Sequence, residues 1–220
     1  MKISTLHALN AAKRERRAVA LITNTKTGAE RIVARADAQA GSDLEKAFRF
    51  DKSAMAGDEF IGIHNPPLRL VIIGAVLIAQ SIIPIAKACG YDITVIDPRG
   101  AFATGARFPD ITLLVDWPQD ILPKLKLDAR TGLIALAHDP KIDDPTLNMA
   151  LCSEAFYIGA LGSKKSHAAR IERLTKAGFN ATDLARIAGP IGLSIGAVGA
   201  NEIAISIMAQ MTQALRLGRL

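Results

Sequence analysis

Between Leu68 and Arg99 the chain reads LRLVIIGAVLIAQSIIPIAKACGYDITVIDPR, and this stretch limits its fold more than any other. Leu70, Val71, Ile72 and Ile73 form an apolar run without alternation, the pattern of a parallel strand covered by helices on both faces. Gly74 stops the run. Ile78, Ile82, Ile85 and Ala86 then recur at helical spacing, Gly90 closes the segment, and Ile93, Val95 and Ile96 form a second strand that ends on Asp97. Strand, glycine turn, helix and acid-tipped strand make half of a nucleotide-binding α/β fold. In that fold the turn admits a phosphate, the helix N-terminus offers free N–H groups, and the acid accepts from a ribose hydroxyl. The pattern G-x-G-x-x-G/A falls on Gly74, Val76 and Ala79, so the position of closest backbone approach carries a β-branched residue.

A chain of 220 residues, half of them apolar, buries a sizeable core and suits one domain with a smaller appendage. Cys89 and Cys152 lie in apolar helical patterns with no His or Cys at metal spacing. They are expected to be buried thiols in a reducing cytoplasm, neither disulfide nor metal ligand. The N-terminal MKISTLHALNAAKRERR lacks the apolar core of a signal peptide, and the run from Leu70 to Ala86 is broken by Gly74, Gln80, Ser81 and Pro84, so no membrane or export segment is expected. The formal charge of +6 is spread along the chain and aromatics are only 5%, which argues against nucleic acid and leaves a small anion or an acidic protein surface as partner.

Residues 1–65 read as a small α+β region: a helix from Thr5 to Arg17, a hairpin of RAVALIT and RIVARA turning at Gly28, a helix over Ser42–Phe50 capped by Ser42 or Asp43, and EFIGIH (Glu59–His64) alternating like an edge strand. Asn65-Pro66-Pro67 marks the boundary. From 66 to 220 strand and helix alternate: strands at ITLLV (from Ile111), TGLIALA (Thr131–Ala137) and AFYIGAL (from Ala155), a short helix at Pro118–Lys124, a helix over Asp144–Leu151 with Pro145 in its first turn, a basic helix opened by Gly162-Ser163, a short helix capped by Thr182, and a long final helix, Asn201–Leu217. The fold class is therefore α/β and Rossmann-like, a mostly parallel sheet with helices on both faces. The final helix has apolar residues on more than one face, which suits either burial or a homodimer.

Ligands of open α/β sheets sit beyond the carboxyl ends of the strands. Gly74 and Ala75, Asp97 and Arg99, His138, and Gly162, Ser163, Lys164 and Lys165 all fall there. Gly162-Ser163 at a helix start followed by two lysines reads either as an anion cradle or as an ordinary Ser cap with a solvated basic first turn. His167 and Arg170 share a helix face with Lys164. No triad or metal spacing accompanies His138-Asp139, so a binding role is favoured over a catalytic one.

Taken together, GAVLIAQ, VIDPR, RFP, VDW, HDPKIDDP, FYIGALGSKKSH and GPIGLSIGA…EIAISI resemble the XdhC/CoxI family from about Pro66 to the C-terminus. The resemblance implies a Rossmann-like domain that binds the molybdenum cofactor, of molybdopterin type. It further implies that the protein shields the cofactor while a cysteine desulfurase supplies its terminal sulfur, and delivers it to a molybdohydroxylase such as xanthine dehydrogenase. The chain departs from the family pattern at Val76 and Leu77, where Gly-His is usual, at Ser194, and at Gly199-Ala200. Two other readings compete with this cofactor chaperone: an oxidoreductase using NAD or NADP through Asp97, and a scaffold or regulatory protein with a degenerate pocket.

Overall fold

The computed structural model describes residues 2–218. The chain divides between Pro66 and Pro67 into two compact units.

The first unit contains α1 (Ile3–Arg14), β1 (Val19–Asn24), β2 (Glu30–Ala34), α2 (Asp43–Phe50), β3 (Ala54–Ala56) and β4 (Glu59–His64). Its antiparallel sheet has the order β2-β1-β4-β3. The β1–β2 hairpin turns where Gly28 takes φ +70°. Asn24 Oδ1 accepts from the N–H groups of Lys26 and Thr27 in the same turn. Ser42 caps α2, its hydroxyl accepting from Glu45 N–H at 3.1 Å. Ala20, Ile22, Ala47, Phe48 and Ile61 form a core between α2 and the sheet. β4 is an inner strand and not an edge, because the three-residue β3, too short to register as a pattern, pairs with its free side.

The second unit runs through β5 (Leu68–Ile73), α3 (Leu77–Ala88), β6 (Tyr91–Ile96), β7 (Thr112–Leu114), α4 (Pro118–Leu125), β8 (Thr131–Ala135), α5 (Pro140–Leu151), β9 (Tyr157–Ala160), α6 (Lys164–Lys176), α7 (Ala181–Leu184), β10 (Ile187–Ala188) and α8 (Ala200–Leu217). All its strand pairs are parallel, in the order β10-β9-β8-β5-β6-β7. Numbered within the unit, this is the 3-2-1-4-5-6 order of dinucleotide-binding folds read from β7, the order in which strands are added switching sides between β5 and β8. Successive residues of β5 serve opposite layers. Leu70 and Ile72 pack with Ala79, Ile82 and Ile207 under α3 and α8. Val71 and Ile73 pack with Leu122, Ile142, Leu147 and Leu174 under α4, α5 and α6. Each such aliphatic side chain contributes about 1.5–3 kcal/mol through burial, which fixes this strand as the centre of the sheet.

Three further sequence expectations need correction. α5 starts at Pro140 and not Asp144, because the Asp139 carboxylate caps it by accepting from Lys141 N–H at 2.9 Å. Pro140 takes the first helical position, and Pro145 lies inside the helix. α7 is capped by Asn180 and not Thr182, through a reciprocal capping box with Asp183. Cys89 and Cys152 are free but exposed, since each is the C-cap of its helix and falls outside the buried stripe. α8 turns Ala204, Ile207, Met208 and Met211 into this unit's own core and leaves Ile205 exposed. Among the described residues no helix is long and apolar enough to cross a membrane.

Candidate functional site

The residues singled out in the sequence lie beyond the carboxyl ends of four strands of the second unit. Gly74 and Ala75 follow β5, Asp97 and Arg99 follow β6, His138 follows β8, and Gly162 and Ser163 follow β9, leading into Lys164 and Lys165 at the start of α6. Gly74 and His138 flank the point where strand order reverses. The two chain segments nearly touch there: a Cβ on Gly74 would stand 2.7 Å from Ala137 N and 2.9 Å from Ala137 Cα, and Gly74 has φ +110°. No side chain fits that position.

The next residue is clamped from both sides. Ala75 N–H donates to Asp97 Oδ2 at 2.7 Å, and Ala75 C=O accepts from Arg107 Nη1 at 3.1 Å. Arg107 also donates to Phe102 C=O at 2.6 Å and to Gln80 Oε1 at 3.3 Å. Asp97, fully buried, accepts four hydrogen bonds: from Ala75 N–H, Arg99 N–H, Arg99 Nε and Arg99 Nη2, all between 2.7 and 2.9 Å. That fills the acceptor capacity of a carboxylate. Burial opposes ionisation, yet the Arg99 side chain and the two N–H groups hold Asp97 below the ordinary carboxylate value. A ribose hydroxyl would meet a carboxylate whose lone pairs are already spent, so Asp97 positions Arg99 and the turn instead of offering itself to a sugar.

At the start of α6, Ser163 is the N-cap and accepts from Ser166 N–H at 3.2 Å. Gly162 has φ +147°, and a Cβ there would come within 2.5 Å of Ser166 Oγ. Lys164 and Lys165 are exposed, and the first turn of α6 carries no acid to offset them. The helix dipole and the positive charge of this first turn therefore have the same sign, which favours an anion.

Between α5 and α6 lies a pocket of about 230 Å³ whose walls include His138, Asp143, Ser166, Arg170 and Arg173. Arg173 is paired in two-pronged fashion with Asp144, at 2.5 and 3.0 Å. Asp143 and Arg170 are only 2% and 4% exposed, yet Asp143 Oδ2 and Arg170 Nη2 stand 4.0 Å apart. Arg170 Nη2 donates to Leu161 C=O at 2.8 Å, while Arg170 Nε and Nη1 and Asp143 Oδ1 are buried without a hydrogen-bond partner. Burial raises Asp143 to about 6, against the pull of Arg170 and the neighbouring N–H groups of Ala137 and His138. Burial also lowers Arg170, and burial together with Arg170 lowers His167, whose ring is half-buried against Gly189. Among the described residues no group of three His, Cys, Asp or Glu side chains is placed to hold a metal ion.

The strand ends thus follow from sequence, as does Arg170 on the face of Lys164, whereas Asp143, its buried partner, and Arg107 emerge only in the fold. The burial of both members of that pair had a signal in the sequence. Asp143 shares the apolar stripe of its helix with Leu147 and Ala150, and Arg170 shares one with Leu174, so each puts a charge on a face that packs inward.

A sheet of this order, with its glycine turn at the reversal point and polar groups gathered at the carboxyl ends, defines a Rossmann-type α/β protein. Residues 70–211 match the XdhC Rossmann domain, and the chain belongs to that family. It is 30% identical over 147 residues to the molybdenum cofactor insertion chaperone PaoD of Escherichia coli (strain K12), covering 67% of this chain and 40% of PaoD. It is 29% identical over 155 residues to a probable xanthine dehydrogenase subunit of Bacillus subtilis (strain 168), covering 70% of this chain and 45% of that protein. The chain spans less than half the length of these two relatives. A crystal structure of a xanthine dehydrogenase from Bacillus halodurans matches with TM-score 0.69 and 26% identity over 97% of this chain and 64% of that one, so the likeness extends into the first unit.

Proposed function

We propose that this protein binds the molybdenum cofactor and delivers it to a molybdohydroxylase such as xanthine dehydrogenase, acting as a maturation chaperone and not as a turnover enzyme. The observation that carries this is the XdhC-type domain itself, together with its similarity to the insertion chaperone PaoD. The strand-end groups suit such a cargo. The cofactor is a pterin bearing a phosphate, and the start of α6 with Lys164 and Lys165 offers donors and charge for the phosphate. A cysteine desulfurase is the corresponding source of the cofactor's terminal sulfur, and a homodimer is the proposed assembly. The saturated carboxylate of Asp97 and the β-branched Val76 weigh against the NAD or NADP oxidoreductase reading.

The test is to purify the full chain from cells that make molybdopterin, oxidise it and look for the fluorescent pterin product. Co-expression with a molybdohydroxylase should raise that enzyme's activity. A protein that never carries pterin and leaves the co-expressed enzyme unchanged refutes the proposal.

A further inference from the structure

α3 and α8 lie side by side on one face of the parallel sheet, and both run from its carboxyl edge toward the opposite edge. Ser81 Oγ donates to Asn201 Oδ1 at 2.7 Å near the two helix starts, and further along α8 the Met211 methyl packs over Gly132 in the first half of β8. Their composition departs from that of helices with a watered face. α3 has no charged residue from Leu77 to Ala86 and α8 none from Ile203 to Leu215, whereas α6, thirteen residues long, carries six. Core packing uses only one side of each helix. On the other side Leu77, Val198 and Ile205 are each more than half exposed. They surround the Ser81–Asn201 bond: Leu77 is one turn before Ser81, Ile205 one turn after Asn201, and Val198 lies in the segment that enters α8.

Charge selects what covers this face. The chain carries a formal +6, so two copies repel across most approaches, and an acidic partner gains more from the basic start of α6 than from a surface without charge. An uncharged face is where a copy of this chain can meet itself without that repulsion. In a two-fold contact the same patch serves both subunits, and an axis perpendicular to the face sets each helix against its copy in the opposite direction. The charges at the two ends of the face then match. Glu202 stands at the carboxyl-edge end, held there by accepting from Val198 N–H at 2.8 Å, and Lys87 stands in the last turn of α3 at the other end. Antiparallel packing brings Glu202 of each copy to the Lys87 end of the other.

We infer that the outer faces of α3 and α8 form a two-fold interface with a second copy of this chain, burying Leu77, Val198 and Ile205 between the copies and pairing Glu202 with Lys87 across it. This rests on the homodimer named with the function proposed above and assigns its surface. A twelve-residue helix with a neighbour about 8–10 Å away makes a face of roughly 20 by 20 Å, below the roughly 800 Å² per partner of a standard interface, so the dimer is of micromolar affinity.

The full chain, free of cofactor, is followed by sedimentation velocity from about 1 to about 100 μM, the range over which a micromolar equilibrium passes from monomer to dimer. Ile205→Glu and Leu77→Asp, both at exposed positions, each raise the dissociation constant about tenfold or more by burying an acid against its own copy, while the circular-dichroism melt stays within a few degrees of wild type. An acid in the first turn of a helix suits its dipole, so Leu77→Asp keeps α3 folded and carries the test if Ile205→Glu does not fold. Glu202→Lys and Lys87→Glu each weaken the dimer about threefold or more, and the double exchange restores it, a rescue that a purely structural role for either residue does not produce. A chain that stays monomeric at about 100 μM, a dimer indifferent to both Ile205→Glu and Leu77→Asp, or a double exchange weaker than either single one overturns the inference. A monomer that still carries pterin after purification removes the interface and leaves the chaperone function standing. A dimer with the expected sensitivities that never carries pterin keeps the interface and removes the chaperone function.

Discussion

Replacing Asp97 with Asn tests whether the clamp on the first turn is structural. Asp97 Oδ1 accepts from Arg99 N–H and Nε, and Oδ2 accepts from Ala75 N–H and Arg99 Nη2. An amide retains one of these oxygens and turns its own N–H₂ toward the other two donors, so two of the four bonds are lost in a fully buried setting. Hydrogen bonds to charged groups contribute about 1.5–3 kcal/mol each. The Arg99 side chain is 33% exposed and regains hydration when released, which discounts its share. The net loss is about 2–3 kcal/mol, or about 5–10 °C in the melting midpoint of a unit this size, read by differential scanning calorimetry at pH 7. The pH dependence has a defined sign. The folded-state value of Asp97 is depressed, so its stabilisation is present above the unfolded carboxylate value near 4 and is lost as pH falls through the lower folded value. The gap between wild type and Asp97→Asn therefore narrows below about pH 4. A variant that melts within about 2 °C of wild type at pH 7, or a gap that persists unchanged at pH 3, refutes the reasoning.

Asp143→Asn should have the opposite effect on stability. Because Asp143 is raised to about 6, wild-type stability falls as pH rises from the unfolded carboxylate value near 4 to about 6 and is level above that, so the variant melts at or above wild type at pH 7.5 and converges with it only below about pH 4, where the carboxyl is protonated in folded and unfolded chains alike. The groups around it are Arg170, Arg173 and Asp144 on α5 and α6, with His138 and Asp139 at the end of β8; a variant melting several degrees lower at pH 7.5 refutes this. Gly74→Ala introduces a Cβ 2.7 Å from Ala137 N at φ +110° and should cost about 2–5 kcal/mol by strain and overpacking, seen as loss of soluble protein or a much lower urea midpoint. Lys164→Ala with Lys165→Ala should lower cofactor retention more than Leu77→Ala does, measured as pterin per protein after purification; the reverse order returns the anion contact to the β5–α3 turn.

Much of the sheet was legible because its strands are buried on both faces and read as unbroken apolar runs, as at Leu70–Ile73 and Thr131–Ala135. β3 was not, since three residues carry no period, and β10, two residues long, was not either. The start of α5 was displaced because Asp139 and Pro140 look like a loop until the carboxylate is seen accepting from Lys141 N–H. The site divides along the same line. Strand ends follow from strand positions, so Gly74, Asp97, His138 and Gly162 could be placed from pattern alone. What a side chain does with its hydrogen bonds depends on partners far away in sequence. Arg107 reaching back to Ala75, and Arg170 facing Asp143, are relations that no local spacing encodes.

The clamp on Ala75 bears on how this turn can vary. In a turn held by glycines, every position answers to its own backbone angles. Here the main chain is gripped at one residue by two remote side chains, Asp97 on the N–H and Arg107 on the carbonyl. The two residues that follow need no glycine geometry: Val76, half-buried against the core at the start of α3, is already extended at φ −99°, and Leu77 is 64% exposed. The turn can therefore drift in sequence there without the sheet noticing, and restoring Gly-His at 76–77 would change the surface presented to a partner far more than it changes the fold.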